Sequence, residues 1–287
     1  MRWLFCLILN MCSRKSPIGF FDSGYGGLTV LSDVRKMLPE YDYVYLGDNA
    51  RAPYGTRSFE VVYEYTWECI KELFHRGCDL VIVACNTSSA KALRTIQQVN
   101  LIEYPGKRVL GVIRPSAEVI GNYSKTNHVG ILATEGTVRS NSYLLEIEKF
   151  FPELYVYQHA CPLWVPLIEN NEYDSKEGRG FIKKDVLKLL EISPSIDTIV
   201  LGCTHYPLIQ DYIESLLPKN ITILSQGPIV AASLKSYLLR HTWLVKKLST
   251  QQNMHFLTTE SSQVFDANVK RLLGIEIQSE QIKINTI

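Results

Sequence analysis

Short apolar runs bounded by turn residues recur along the chain, at 18–21, 43–46, 80–84, 109–113, 129–133, 154–157, 198–201 and 221–224. They are rich in valine, isoleucine and leucine, and apolar positions follow one another without polar alternation. That continuity predicts parallel strands covered on both faces. Between them, apolar residues at helical spacing predict helices over 28–38, 59–76, 88–99, 140–150, 180–190 and 206–217. Strands alternating with helices mean βαβ units and an α/β fold. Eight strands exceed one small sheet, so the pattern predicts two parallel-sheet α/β lobes with a cleft between them. Gly227-Pro228 marks the return from the second lobe, and 229–248 reads as one long helix. A short strand and a helix ending at Gly274 follow in 255–274. The expected division is an N-terminal extension (1–16), a first lobe (17–112 plus 226–287) and a second lobe (113–225).

Two of the predicted strands end in the same way. Cys85 stands in VIVACNTSSA (81–90) and Cys203 in TIVLGCTHYPL (198–208). Each follows a β-branched run and precedes small polar residues, which puts the thiol at a strand's carboxyl end, where open α/β sheets bind ligands. Beside a helix start, the Cys85 thiol is expected to have its pKa lowered toward neutrality. Buried cysteines are common core residues, but two in matched positions suit a reaction that needs paired acid/base groups. Taking a proton from an α-carbon on one face and returning it on the other inverts the centre. A thiol titrates near enough to neutral pH to serve in either direction.

Other candidates lie on strand–helix loops. In FDSGYGG, the glycines suit a tight turn presenting N–H groups to an anion, and Asp22 is a catalytic helper or a helix cap. Tyr54 and Gly55 lie in a Pro-Tyr-Gly turn, where Tyr54 can donate to a carboxylate or simply pack. Asn86 and Thr87 offer donors for a carboxylate. His205 can shuttle a proton to Cys203 or bind an anion. Glu169, closing the apolar stretch ACPLWVPLIEN, reads on its own as a helix-end surface residue.

Composition narrows the class. The chain has 287 residues, 46% of them hydrophobic, and a formal net charge of +1. No basic stripe points to nucleic acid, and no apolar run is long enough to cross a membrane. Seven cysteines without a CxxC pair suit reduced thiols in a reducing compartment rather than a disulfide framework. Paired metal-ligand spacings are also missing, so no metal site is expected. The apolar opening MRWLFCLILN is short for a signal peptide; it reads as an extension, or Met11 as the true start.

The segments FDSGYGGLTVL, YLGDNARAPYG, ACNTSSA, GVIRPSA, LATEGT and LGCTHYPL resemble, in order, the motifs of the glutamate racemases, a cofactor-independent branch of the aspartate/glutamate racemase superfamily. The likeness runs from about Ile18 to Gly274. It implies an isomerase that interconverts L- and D-glutamate with two cysteines and no cofactor, the alternative being an aspartate racemase or a related superfamily isomerase acting on another small acid. Cys85 and Cys203 would be the acid/base thiols. Asp22 would assist Cys85, and Glu169 and His205 would assist Cys203. Substrate contacts would come from Asp22, Ser23, Tyr54, Gly55, Asn86, Thr87, Thr204 and His205, with Thr134 and Thr137 from LATEGT. The resemblance further implies a cytoplasmic enzyme supplying D-glutamate for peptidoglycan, cell-wall biogenesis and cell shape, with a small-molecule substrate and a homodimeric state. Arg114, Ser116, Ser89 and Ser225 stand where the family usually has Glu, Gly, Ala and Asp.

Overall fold

The computed structural model describes residues 15–284. Both the extension reading and Met11 as a start fall largely or wholly outside them. Among the described residues, ten strands form two sheets, and every pairing is parallel. The strands are β1 (Ile18–Asp22), β2 (Tyr43–Gly47), β3 (Leu80–Val83), β4 (Arg108–Gly111) and β5 (His128–Ala133), then β6 (Tyr155–Ala160), β7 (Thr198–Gly202), β8 (Thr222–Leu224), β9 (Met254–Thr258) and β10 (Ser279–Gln281). One sheet has the order β10-β9-β2-β1-β3-β4 and the other β6-β5-β7-β8. The α/β class and the paired parallel sheets therefore follow the apolar pattern.

The two sheets share a plan. In each, the second strand lies outside the first, and the third and fourth lie on the other side: β2-β1-β3-β4 matches β6-β5-β7-β8. The strand order thus reverses between β1 and β3, and again between β5 and β7. Such reversals open a crevice at the carboxyl ends of the strands. Asp22 ends β1, Cys85 follows β3, Thr134 follows β5 and Cys203 follows β7.

The continuous apolar runs have a physical cause. Ile18 and Phe20 of β1 enter one core cluster, while Phe21 enters another on the opposite face. In β7, Ile199 and Leu201 pack on one side and Val200 on the other. Helices cover both faces, so neither alternating set can be polar. The helix Gln226–Arg240 returns to the first sheet, where Val230, Ala231 and Leu234 share a cluster with Leu31 and Val34 of the helix Gly27–Met37.

Differences from the sequence pattern are local. The predicted helix over 229–248 starts earlier and ends at Arg240, because His241 leaves helical geometry and its Nδ1 takes the Tyr237 carbonyl at 2.8 Å. The predicted helix over 206–217 opens as a 3-10 turn, Tyr206–Ile209, with Pro207 in its first turn. The stretch over 88–99 divides into Asn86–Lys91 and Leu93–Gln98 at Ala92. Arg114, set apart by its charge, is exposed and pairs with the exposed Glu118 one turn on at 2.9 Å.

Candidate active site

The crevices of the two sheets meet in one cavity of about 90 Å³, a size suited to a small molecule rather than a polymer. Cys85 and Cys203 both line it, one from each sheet. So do Ser23, Tyr54, Gly55, Asn86, Thr87, Thr134, Glu169, Thr204 and His205. Asp22 and Thr137 do not. Each is completely buried one layer behind the wall. Thr137 Oγ1 lies 3.0 Å from Thr134 Oγ1, which is in turn 3.0 Å from Thr87 Oγ1. Thr137 therefore reaches the cavity only through Thr134.

The glycines of FDSGYGG serve a purpose other than unusual backbone angles. Gly26 is in the ordinary right-handed region, φ −59° and ψ −35°. A methyl group there would overlap Thr204 Oγ1 and sit 2.5 Å from His205 Nδ1. Gly26 is thus the point at which the first lobe's loop closes onto the second lobe's Cys203-Thr204-His205 segment. Asp22 braces that loop, accepting from the Gly24 N–H at 2.9 Å and from the Thr204 hydroxyl at 3.3 Å. Burial raises the Asp22 pKa above the ordinary carboxylate value, although the His205 charge and these hydrogen bonds oppose the rise.

Cys85 sits at the cap of the helix Asn86–Lys91, where its sulfur accepts from the Ser88 N–H at 3.4 Å and lies 3.3 Å from Ser23 Oγ. Local reading of the helix start predicts a lowered pKa. The structure reverses that: burial, aided by the nearby Asp22 charge, pushes the thiol up to about 11, outweighing the hydrogen bonds that favour the thiolate. The substrate-free Cys85 is therefore a neutral thiol at pH 7.

Cys203 has different company. His205 Nδ1 lies 3.9 Å from Cys203 Sγ, and His205 Nε2 lies 2.9 Å from Glu169 Oε1. Burial pulls the imidazole's pKa down, but its hydrogen bonds to Cys203 and Glu169 carry it well above the ordinary value. Glu169, unremarkable in sequence, ends the helix Trp164–Glu169 with only part of its carboxylate exposed. Arg271 of the first lobe grips its backbone carbonyl.

Tyr54 packs rather than offering a free hydroxyl. Its OH donates to Asp48, a fully buried carboxylate that also accepts from Arg51 Nε at 2.7 Å and Thr259 Oγ1 at 2.9 Å. Tyr54 and Gly55 line the cavity with the Tyr54 hydroxyl committed to Asp48. The Gly55 carbonyl accepts from the Gly136 N–H at 2.8 Å, a bond between the two lobes.

Sequence reading missed part of the wall: Cys161, Pro162, Val165 and Pro166 in the ACPLWVP stretch, with Pro53, Thr56 and Glu135. The available signal was the stretch's place after a predicted strand: Cys161 and Pro162 lie on the turn after β6, and Val165 and Pro166 in the first turn of the helix Trp164–Glu169. It also missed that folding gathers His159, Cys161 and Asp185, whose ligand-type atoms lie within 4.8 Å of one another. The Asp185 oxygens are engaged by His159 Nε2 and Trp164 Nε1, each at 3.0 Å. The five cysteines among the described residues are unpaired and buried, and no helix among those residues is long and apolar enough to cross a membrane.

Residues 29–234 match the family model described as Asp/Glu/Hydantoin racemase. A glutamate racemase of Sulfurihydrogenibium sp. is 36% identical over 272 residues, covering 94% of this chain and 98% of that protein. Among solved structures, a glutamate racemase isoform from Bacillus anthracis superposes with a TM-score of 0.85 at 35% identity, covering 94% of this chain and 98% of that one. The glutamate racemase of Francisella tularensis, solved in complex with D-glutamate, gives 0.83 at 30% identity over the same shares.

Proposed function

Since this chain belongs to the Asp/Glu/hydantoin racemase family and is a racemase, we propose that it interconverts L- and D-glutamate by passing the α-proton between Cys85 and Cys203. The observation that carries the reading is the placement of two thiols, each after the third strand of its own sheet, on the wall of one shared cavity. A planar carbanion held between them can be protonated from either face. In one direction the Cys85 thiolate takes the proton and the Cys203 thiol returns one; in the other the roles exchange. No cofactor is required by this scheme, because each step is a proton transfer between sulfur and carbon.

The flanking groups prepare the two thiols differently. Cys85 rests neutral, beside Asp22. A substrate ammonium group brought near Asp22 and Cys85 would supply positive charge that stabilises both the carboxylate and the thiolate. On the other side, the protonated His205, held by Glu169, can return a proton to Cys203 between turnovers. Ser23, Asn86, Thr87, Thr134 and Thr204 supply the polar groups for the substrate's two carboxylates and its ammonium, with Tyr54 and Gly55 contributing backbone and shape. Asp22 and Thr137 act from behind the wall. The lobes that close on the substrate are taken as 17–112 with 226–287, and 113–225.

Family membership supports extending the reading to a cytoplasmic, homodimeric enzyme whose D-glutamate feeds peptidoglycan synthesis. The chemistry is tested by incubating purified protein with L-glutamate in D2O, without added cofactor, while following the α-proton by NMR and the enantiomers by a chiral assay. Loss of the α-proton signal together with D-glutamate is expected. Silence with glutamate but exchange with aspartate would move the substrate to the shorter acid, a difference of one methylene.

A further inference from the structure

Gln226 is a buried amide, 2% exposed, at the start of the helix that returns from the second lobe to the first. Its side chain has four hydrogen-bonding partners, three of which share the two Nε2 hydrogens. Nε2 is within reach of the Val112 carbonyl at 3.1 Å, Ser116 Oγ at 3.1 Å and Tyr143 OH at 2.8 Å, while Oε1 accepts from Asn86 Nδ2. Asn86 Oδ1 in turn accepts from Tyr143 OH at 2.9 Å. Asn86, next to Cys85, lines the cavity; Gln226, Tyr143 and Ser116 do not.

The orientation of each amide in this network follows from donor counting alone. The Val112 carbonyl can only accept, so Gln226 must turn its NH2 group toward it. The Gln226 oxygen then faces Asn86, which must answer with its own NH2. The Asn86 oxygen is left facing Tyr143 OH, whose proton it takes, while Tyr143 oxygen accepts from Gln226. Burial raises the Tyr143 phenol pKa, so that donor is kept. Both ends of the Asn86 amide are thereby fixed from a backbone carbonyl two residues removed in the network. Among the described residues, nothing accepts from its second Nδ2 hydrogen.

We infer that Gln226 is a positioning residue for the racemisation: it sets the polarity of Asn86 so that the NH2 group, not the carbonyl, meets a substrate carboxylate. The inference rests on the reading in which Asn86 contacts glutamate. It is specific about polarity. With Gln226 replaced by an apolar side chain of similar length, the Asn86 amide is free to flip, and a flipped amide would oppose oxygen to oxygen. A hydrogen bond to an ionised group is lost and a repulsion gained, so affinity rather than proton transfer carries the penalty.

The test is a double-mutant cycle on Gln226→Met and Asn86→Ala, with Gln226→Glu as a third variant. Steady-state kinetics are measured from both enantiomers, with thermal melting alongside. Gln226→Met is expected to raise KM about tenfold for L- and D-glutamate alike, while kcat changes less than about threefold. In the Asn86→Ala background it should have little further effect. Gln226→Glu keeps an oxygen facing Asn86 but puts a second oxygen where the NH2 group met Val112, Ser116 and Tyr143; because the Asn86 NH2 keeps its acceptor, KM should rise less than in Gln226→Met, even where the melting temperature falls further. An unchanged KM in Gln226→Met, or full additivity with Asn86→Ala, would overturn the inference, even if the melting temperature fell. If Asn86→Ala itself left KM unchanged, the failure would lie with Asn86 as a substrate contact, which is a separate result.

Discussion

Cys85 and Cys203 occupy equivalent places in two sheets of matching strand order, yet their electrostatic surroundings are opposite. Beside Cys85 stands a carboxylate, Asp22, and burial lifts the thiol to about 11. Beside Cys203 stands an imidazole whose charge is secured by Glu169 at 2.9 Å. Topology has duplicated the thiol but not its tuning. In the proposed reaction, backbone symmetry serves the geometry by supplying a sulfur for either face of the substrate. The proton inventory is set separately on each side. In that proposal one thiol depends on charge that arrives with the substrate, and the other on the imidazole already beside it.

The largest expected effect comes from removing either thiol. Cys85→Ala and Cys203→Ala should each lower racemisation by about 10²–10⁴-fold in a chiral assay. Comparable losses on the two sides mean that both thiols serve the reaction. A loss confined to one would break the pairing.

Next in size is the junction where the lobes meet. Gly26→Ala places a methyl group against Thr204 and His205. It is expected to cut kcat/KM about 10–100-fold through misplacement of the Cys203 side, with the fold intact by circular dichroism. Wild-type kinetics in this variant would show that the loops can part without cost.

Glu169→Gln sharpens the comparison from the Cys203 side. Hydrogen bonding to Glu169 raises the His205 pKa against the pull of burial, so the substitution lowers it. An imidazolium with a lowered pKa gives up its proton at a lower pH. The limb of the kcat/KM profile governed by His205 should therefore move to lower pH, with about a tenfold loss at neutral pH. An unmoved limb would separate Glu169 from the proton chemistry.

Asp22→Asn, on the Cys85 side, should have the smallest effect on titration. Burial is the leading cause of the raised Cys85 pKa and the Asp22 charge a lesser one. Removing that charge lowers the thiol's pKa, so alkylation of the Cys85 peptide, followed by mass spectrometry, should begin at a lower pH than in wild type. In wild type it should rise only as pH approaches about 11. A variant whose Cys85 reacts only at higher pH would contradict the sign.

How far the sequence reaches is clearest at particular elements. β1, β3 and β7 are legible because both faces are covered, which forces successive central positions to be apolar. β10 is not: Ser-Glu-Gln carries no apolar signal, and this edge strand is held by backbone pairing to β9 and by Arg76 on Glu280 at 2.8 Å. The residues lining the cavity were mostly legible from their strand-end motifs. What sits behind them was less so. Thr137 acts through Thr134, and Gln226 meets Asn86 across 140 residues of chain. The Cys85 pKa failed as a local prediction for a related reason. A helix start is visible in eight residues, whereas complete burial is a property of the closed lobes.

The central claim, one thiol for each face, is tested most directly by α-proton exchange in D2O with the single cysteine variants. Cys85→Ala and Cys203→Ala are each incubated with L-glutamate and with D-glutamate and followed by NMR. A variant with one thiol can still remove and return a proton on its own face, so each should exchange one enantiomer without inverting it. The two variants should prefer opposite enantiomers. Exchange of the same enantiomer by both, or of both enantiomers by either, would contradict the account.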